Sequence, residues 1–302
     1  MKELINVKSI SQAHEIFGLN RPKHPLVSVY KHKDIDINSI PKGVRFSLDL
    51  YHIIFKVGHS GSLQYGRNSY DFQDGTIIFT APGQVITSGG LENYNKPQGW
   101  SLLFHPDLIR KSELGENIKK YSFFSYDVHE ALHVSEDEKQ NIAELAKKIV
   151  KEYTQNIDKH SQNLIVSNIQ LMPDYCTRYY DRQFYIRTNL NKDIVSKFEQ
   201  LINNYFISDK PLEMGIPTVT YFGRELNMSP KYLSDMLKKE TGKNAQEHIH
   251  YYLVENAKTR LLGTTEPISQ IAFSLGFEYP QHFSKIFKSK TGMSPGEYRN
   301  MN

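Results

Sequence analysis

Between Leu26 and about Leu108 apolar and polar residues alternate in short runs. The segments "LVSVY", "VRFSLDLYHIIFKV", "GTIIFTA" and "GWSLLF" are rich in β-branched and aromatic residues and are separated by Gly, Pro, Asn and Asp, the composition of strands and turns. In "FSLDL", Phe46, Leu48 and Leu50 alternate with Ser47 and Asp49, which predicts one buried and one wet face. Several such strands at short spacing predict a small barrel or sandwich.

From Ser135 the period lengthens. "SEDEKQNIAELAKKIVKEYTQ" puts Ile142, Leu145, Ile149 and Tyr153 on one helical stripe, behind a Ser-x-x-Glu cap at Ser135 and Glu138. A second helical pattern, "NLIVSNIQLMPDYCTRYYDRQF", carries Pro173 at an expected kink. Two helices next to a small barrel cover its open end, form a dimer interface, or do both. A polar stretch, "RTNLNK", places a domain boundary near residues 187–192, and beyond it the chain is helical, with turn signals at Pro211, Gly242, Gly263, Gly276 and Gly292.

The last hundred residues repeat themselves. "LSDMLKKETGKNAQE" from Leu233 aligns with "FSKIFKSKTGMSPGE" from Phe283 at an offset of fifty, and Phe222, Gly223 and Leu226 match Ile271, Ala272 and Leu275 at an offset of forty-nine. Each copy reads as a short helix holding a tiny residue, a turn, and a second helix, and the tiny residue lets two helices cross closely, as in a helix-turn-helix. Ser229 caps the second helix of the first copy with Pro230 at its first position, and Tyr279-Pro280 take that part in the second. The intervening "AQEHIHYYLVENAKTRLL" makes one helix of about 27 Å at 1.5 Å per residue. A spacer of that length holds two recognition helices near the roughly 34 Å of one DNA turn. A single such pattern also fits a plain helical bundle with solvated lysines; the duplication argues for DNA.

Composition narrows this picture modestly. The chain has 302 residues, 39% hydrophobic and 23% charged, enough for two globular domains. The formal charge is +4, and residues 191–302 hold 14 Lys and Arg against 12 Asp and Glu, so a polyanionic partner must be argued from where charges lie. No acid stands between Glu278 and Glu297, a span that contains Lys285, Lys288 and Lys290. Cys176 is the sole cysteine, which excludes an intrachain disulfide and a cysteine-rich zinc site, and fits a reducing, cytoplasmic location. Its reading is a buried, inert thiol rather than a catalytic one. No run of about 18 apolar residues is present, so no membrane span is expected.

The residues Ile268, Ile271-Ala272, Gly276-Phe277, Phe283-Ser284, Phe287-Lys288, Gly292, Pro295 and Tyr298-Arg299 resemble the signature of the AraC/XylS-type bacterial transcription regulators, over roughly residues 193–302. The resemblance implies a DNA-binding region of two helix-turn-helix units joined by a helix. One departure is Leu253, where many members place an arginine on the linker helix. By position, the base-reading residues are Lys231, Ser234 and Asp235 in the first unit and Pro280, Gln281 and Lys285 in the second. Chemically, lysine donates to guanine, Gln281 bridges adenine and Asp235 accepts from cytosine. Ser229, Lys238, Lys288 and Lys290 are assigned to phosphates.

Family members often carry an N-terminal cupin-like barrel that binds a small effector, and the strands here are similar, "YDFQDGTIIFTAPGQ" above all. Tyr51, Tyr65 and Trp100 are the candidate effector-stacking residues, with plain core packing as their alternative. Metal-binding cupins present a His-x-His pair, a Glu and a later His; here only His52 and His59 stand near the right place, so no metal or other cofactor is expected. The fold class expected is α+β: a cupin-like β-barrel with flanking helices, then an all-α domain. Residues 1–134 form the regulatory barrel, 135–190 a helical dimerisation segment and 191–302 the double helix-turn-helix. The function expected is a non-enzymatic, sequence-specific transcription regulator, an activator acting as a homodimer, with duplex DNA, RNA polymerase and a small-molecule effector as partners. A cupin enzyme fused to a DNA-binding tail, and a regulator that senses no ligand, are the alternatives.

Overall fold

The computed structural model describes residues 4–40, 44–57, 64–65, 68–69, 75–87, 98–127, 130–155 and 158–301. The chain divides into two compact units, Met1–Ile186 and Arg187–Asn302.

The first unit is built on strands β1 (Leu4–Val7), β2 (Val27–Lys31), β3 (Arg45–Leu48), β4 (Tyr51–Val57), β5 (Gln64–Tyr65), β6 (Asn68–Ser69), β7 (Thr76–Thr80), β8 (Val85–Thr87), β9 (Gln98–Phe104) and β10 (Leu132–His133). They form a five-stranded sheet in the order β10-β7-β4-β9-β2, a three-stranded sheet β1-β3-β8, and the β5–β6 pair. The large sheet is antiparallel throughout, and in the small one β1 runs parallel to β3. Neither sheet closes on itself among the described residues, so the expected barrel is observed as separate open sheets. Strand texture marks elements locally, whereas closure depends on which distant strands pair.

Helix α1 (Ile10–Ile16) packs between the sheets. Val7, Ile10, Ala13, Phe46, Leu48 and Leu50 share one core cluster with Tyr30 and Leu103 of the large sheet. Ser47, expected on the wet face, is also buried. Two short helices, α2 (Pro106–Ile109) and α3 (Glu113–Asn117), lead to the other face of the large sheet. There Phe79 meets Phe123 and Phe124, and Phe123 stacks on Tyr180.

Helix α4 (Glu136–Thr154) opens with the expected capping box at Ser135 and Glu138, and its stripe Ile142, Leu145, Ile149 and Tyr153 is buried. Helix α5 (Ser161–Ile186) runs through Pro173 without interruption. The expected kink therefore does not divide the segment.

Helix α6 (Thr188–Ile207) begins inside the polar stretch read as a domain boundary, next to the division between the two units. Asn191, one of its polar residues, is 2% exposed, and its side-chain amide donates to Glu240 Oε1 at 2.7 Å. A satisfied buried amide is not legible as such in the sequence, because its partner lies forty-nine positions away. The second unit continues with α7 (Lys210–Met214), α8 (Val219–Glu225), α9 (Pro230–Thr241), α10 (Ala245–Gly263), α11 (Ile268–Ser274), α12 (Pro280–Thr291) and α13 (Pro295–Arg299). Ile249, Leu253, Val254, Ala257 and Leu261 of α10 are buried, and α9, α11, α12 and α13 all lie against that helix. Leu253, the departure from the family pattern, is a 2% exposed core residue of this linker helix.

Candidate nucleic-acid interface

Helices α8–α9 and α11–α12 are two copies of one motif. From Val219 to Ile268 is 49 positions and from Pro230 to Pro280 is 50. The turns are made by the same backbone bonds. Met228 N donates to Gly223 O at 2.8 Å and Phe277 N to Ala272 O at 3.0 Å; Leu226 N donates to Phe222 O and Leu275 N to Ile271 O. The left-handed turn residue is Asn227 (φ 53°) in the first copy and Gly276 (φ 89°) in the second, and Asn227 is the only non-glycine with positive φ among the described residues.

The copies differ where the turn enters the second helix. Ser229 caps α9, its hydroxyl accepting from Tyr232 N at 3.2 Å, whereas α12 starts from Tyr279 with no side-chain cap. The added residue of the second turn therefore lies between Phe277 and Pro280. The crossing residue differs as well: a Cβ on Gly223 would stand 2.7 Å from Met228 O, while the second copy accommodates Ala272 fully buried. Gly276 is held differently again, since a Cβ there would lie 2.5 Å from the Gly215 carbonyl carbon. The segment before α8 thus closes on the second turn.

Both second helices are amphipathic. Leu233, Met236 and Leu237 of α9 and Phe283 and Phe287 of α12 are buried. Residues at i, i+4 and i+7 share a helix face, so Lys231, Asp235 and Lys238 form one stripe on α9, and Gln281, Lys285 and Lys288 form its counterpart on α12. Lys231, Lys238, Gln281, Lys285 and Lys288 are exposed, and Ser234, Asp235 and Pro280 are partly exposed. The structure thus brings together most of the residues expected to face DNA.

Two phosphate assignments fare differently. Ser229 is 4% exposed and its hydroxyl serves the cap, which removes its side chain from the exposed surface. Lys290, two residues beyond Lys288, is turned about 200° around the helix; it lies near His250 of α10, whose pKa is lowered by burial first and by the Lys290 charge second.

Sequence reasoning also missed residues here. Tyr279, 47% exposed, and His282 stand edge-to-face at 5.5 Å beside Gln281 at the start of α12, and the longer second turn was the signal for them. Arg260 bonds Ser274 and reaches Glu266 Oε2 at 2.5 Å, and Arg299 Nε donates to Leu261 O at 3.2 Å, where α10 ends. These ties fix the second copy to the linker helix.

The expected effector residues do not gather. Tyr51 stacks on Phe104 at 5.0 Å and meets Phe124, and Trp100 stacks on Phe55 at 5.7 Å. Strand alternation puts Tyr51, Phe55, Trp100 and Phe104 on the face covered by Phe123 and Phe124, away from the small sheet. Both rings pack against core aromatics there while staying half-buried. The side chain of Tyr65 and the whole of His59 lie outside the described residues. Among the described residues no group of three or more His, Cys, Asp and Glu is placed to hold a metal, and no helix is long and apolar enough to cross a membrane. Cys176 is buried on α5, and burial raises its thiol pKa well above the usual value, the setting of an unreactive thiol.

Residues 222–301 match the family model described as "Helix-turn-helix domain". The HTH-type transcriptional regulator YtdP of Bacillus subtilis is 32% identical over 108 residues, which are 36% of this chain and 13% of YtdP. The lactose operon transcription activator of Staphylococcus xylosus is 25% identical over 279 residues, 89% of this chain and 94% of that protein. Among solved structures, the C-terminal domain of the two-component response regulator yesN from Fusobacterium nucleatum is 27% identical, with a TM-score of 0.32, covering 36% of this chain and 99% of that one. The chain spans between 13% and 30% of the length of the first four curated relatives it matches.

Proposed function

We propose, from a C-terminal region that is an AraC-type helix-turn-helix domain, that this chain is a sequence-specific regulator of transcription which reads promoter DNA through α9 and α12 in successive major grooves. The observation that carries the reading is the duplicated motif with two equivalent exposed stripes, Lys231–Asp235–Lys238 and Gln281–Lys285–Lys288. Lys231, Ser234, Asp235, Pro280, Gln281 and Lys285 meet base edges, and Lys238 and Lys288, a turn further along, hold the backbone. Titrating the full chain against promoter and scrambled duplexes at several salt concentrations tests this. Affinity should fall as salt rises, because bound lysines release counterions. Salt-independent binding, or none at low salt, contradicts it.

The similarity to the lactose operon transcription activator runs along both units, which supports an activator acting with RNA polymerase in the cytoplasm. On this reading residues 1–134 are a cupin-like regulatory domain under small-molecule control, 135–190 dimerise and 191–302 bind DNA. Leu164, Leu171 and Tyr175 of α5 are exposed at 47%, 45% and 38%, and their i, i+7, i+11 spacing makes one apolar stripe suited to a second copy of the chain. Sedimentation of the full chain should show a dimer that Leu171→Glu dissociates. A wild-type chain that stays monomeric at high micromolar concentration defeats the dimer.

A further inference from the structure

The two helix-turn-helix copies treat the entry to their second helix in opposite ways. Ser229 and Tyr232 of the first copy stand where Tyr279 and His282 stand in the second, at an offset of fifty. Ser229 and Tyr232 are 4% and 5% exposed, whereas Tyr279 is 47% exposed and His282 is exposed beside it. The first copy closes this flank with a capping serine and a buried ring. The second copy opens it as two rings turned to solvent.

One exposed aromatic ring says little by itself, because single apolar groups are common on protein surfaces. Position gives this one its meaning. Tyr279 has extended backbone (φ −128°, ψ 120°) at the N-cap of α12, and its side chain makes no cap. Its ring instead meets the His282 ring edge-to-face at 5.5 Å. His282 stands three residues before Lys285 and so lies about 60° from it around the helix. The two rings therefore form a flank along one side of the Gln281–Lys285 stripe, at the end of the helix that comes nearest the bases when such a helix enters a major groove.

What such a flank meets in a major groove is limited. The groove offers hydrogen-bonding atoms across its floor and one apolar group, the thymine 5-methyl, which stands toward the edge nearest its own strand. The phosphates beyond that edge are a poorer match. Glu278, next to Tyr279, is an exposed acid, and no lysine or arginine of α12 precedes Lys285, so the local charge repels an anion rather than holding it. We propose that the Tyr279 ring, with His282 at its side, packs on the methyl group of a thymine and is a specificity-determining residue of the second unit. The first unit buries both equivalent positions and reads no methyl there. This inference rests on the reading of α12 as a groove-reading helix and names the base met by its N-terminal flank.

The test uses the full chain and a duplex that it selects from a random pool, with each thymine replaced in turn by deoxyuridine. That replacement removes the methyl group and leaves every hydrogen-bonding atom in place. At one thymine it should lower the affinity of the wild type about three- to fivefold, the worth of one buried carbon. In Tyr279→Ala the same replacement should cost nothing, and in Tyr279→Phe it should cost as much as in the wild type. A Tyr279→Ala chain that keeps every deoxyuridine penalty of the wild type overturns the inference. So does a Tyr279→Phe chain that binds all duplexes as weakly as Tyr279→Ala, which would assign the hydroxyl to a phosphate. A wild-type chain that selects no sequence contradicts the DNA-reading function itself, whereas selected sequences without a methyl penalty that depends on Tyr279 contradict this inference alone.

Discussion

The two helix-turn-helix units share their skeleton and differ on their surface. The turn bonds recur one for one, and the buried faces of α9 and α12 are apolar at matching places. Between the exposed stripes, Lys231 is matched by Gln281 and Asp235 by Lys285, while Lys238 and Lys288 are alike. The duplication kept what a helix crossing requires and changed what a DNA base would meet. At one equivalent position an acceptor in the first unit faces a donor in the second, so the two units should prefer different bases. The stripe on α12 also carries one more net positive charge and should supply more of the salt-dependent affinity.

The turn glycine offers the largest expected effect. Gly276→Ala forces a β-carbon into the Gly215–Ile216 backbone at positive φ, and should cost about 2 to 4 kcal/mol in thermal or denaturant unfolding of the C-terminal unit. The equivalent change in the first turn, Asn227→Gly, relieves a left-handed side chain and should be neutral or stabilising by up to about 1 kcal/mol. Equal losses from both would break the claim that only the second turn is closed upon by the segment before α8.

Base reading comes next. Lys285→Ala should weaken promoter binding by about 1 to 3 kcal/mol and relax preference at one base pair, whereas Lys288→Ala should weaken all sequences alike and lower the salt slope by about one. Binding on promoter and scrambled duplexes at several salt concentrations separates the two. An equal loss from Lys285→Ala on both duplexes would remove its base-reading role.

The cap gives a smaller difference. Ser229→Ala removes the α9 cap and should cost about 1 kcal/mol, while Tyr279→Ala has no cap to remove and should leave stability nearly unchanged but alter DNA affinity. The acid sensitivity of the N-terminal unit is the mildest contrast. His52 and His32, with pKa values lowered to about 3 and about 4 in the folded state, bind protons more readily when unfolded. Stability is therefore fully present above about pH 6.5 and declines as pH falls from there toward 4. Unfolding monitored across that range should show the N-terminal transition shifting, and His52→Gln should flatten its slope.

The C-terminal unit was far more legible than the N-terminal one, for a physical reason. Helix patterns and caps are local, so a repeat at an offset of fifty exposes helices, turns and outward faces together, down to the Ser229 cap. The same pattern hid where that side chain goes: Ser229, which starts α9, turns its hydroxyl to Tyr232 N and is buried. In the β region, alternation around Phe55 and Trp100 divides residues into two faces but leaves open which face meets the small sheet. Only pairing between distant strands decides this, and it put Tyr51 and Trp100 on the helix-covered side. The His32–Ser101–Tyr30–His52 chain joins four residues spread over seventy positions, beyond the reach of any motif. The tie from Asn191 to Glu240 was out of reach for the same reason.

The most direct test of the central claim is selection of binding sites by the full chain from a pool of random duplexes. The account predicts two preferred blocks of different sequence with centres one helical turn, about 10 to 10.5 base pairs, apart, with Lys285→Ala eroding only one of them. A single preferred block, or two blocks eroded alike by Lys285→Ala, would contradict it.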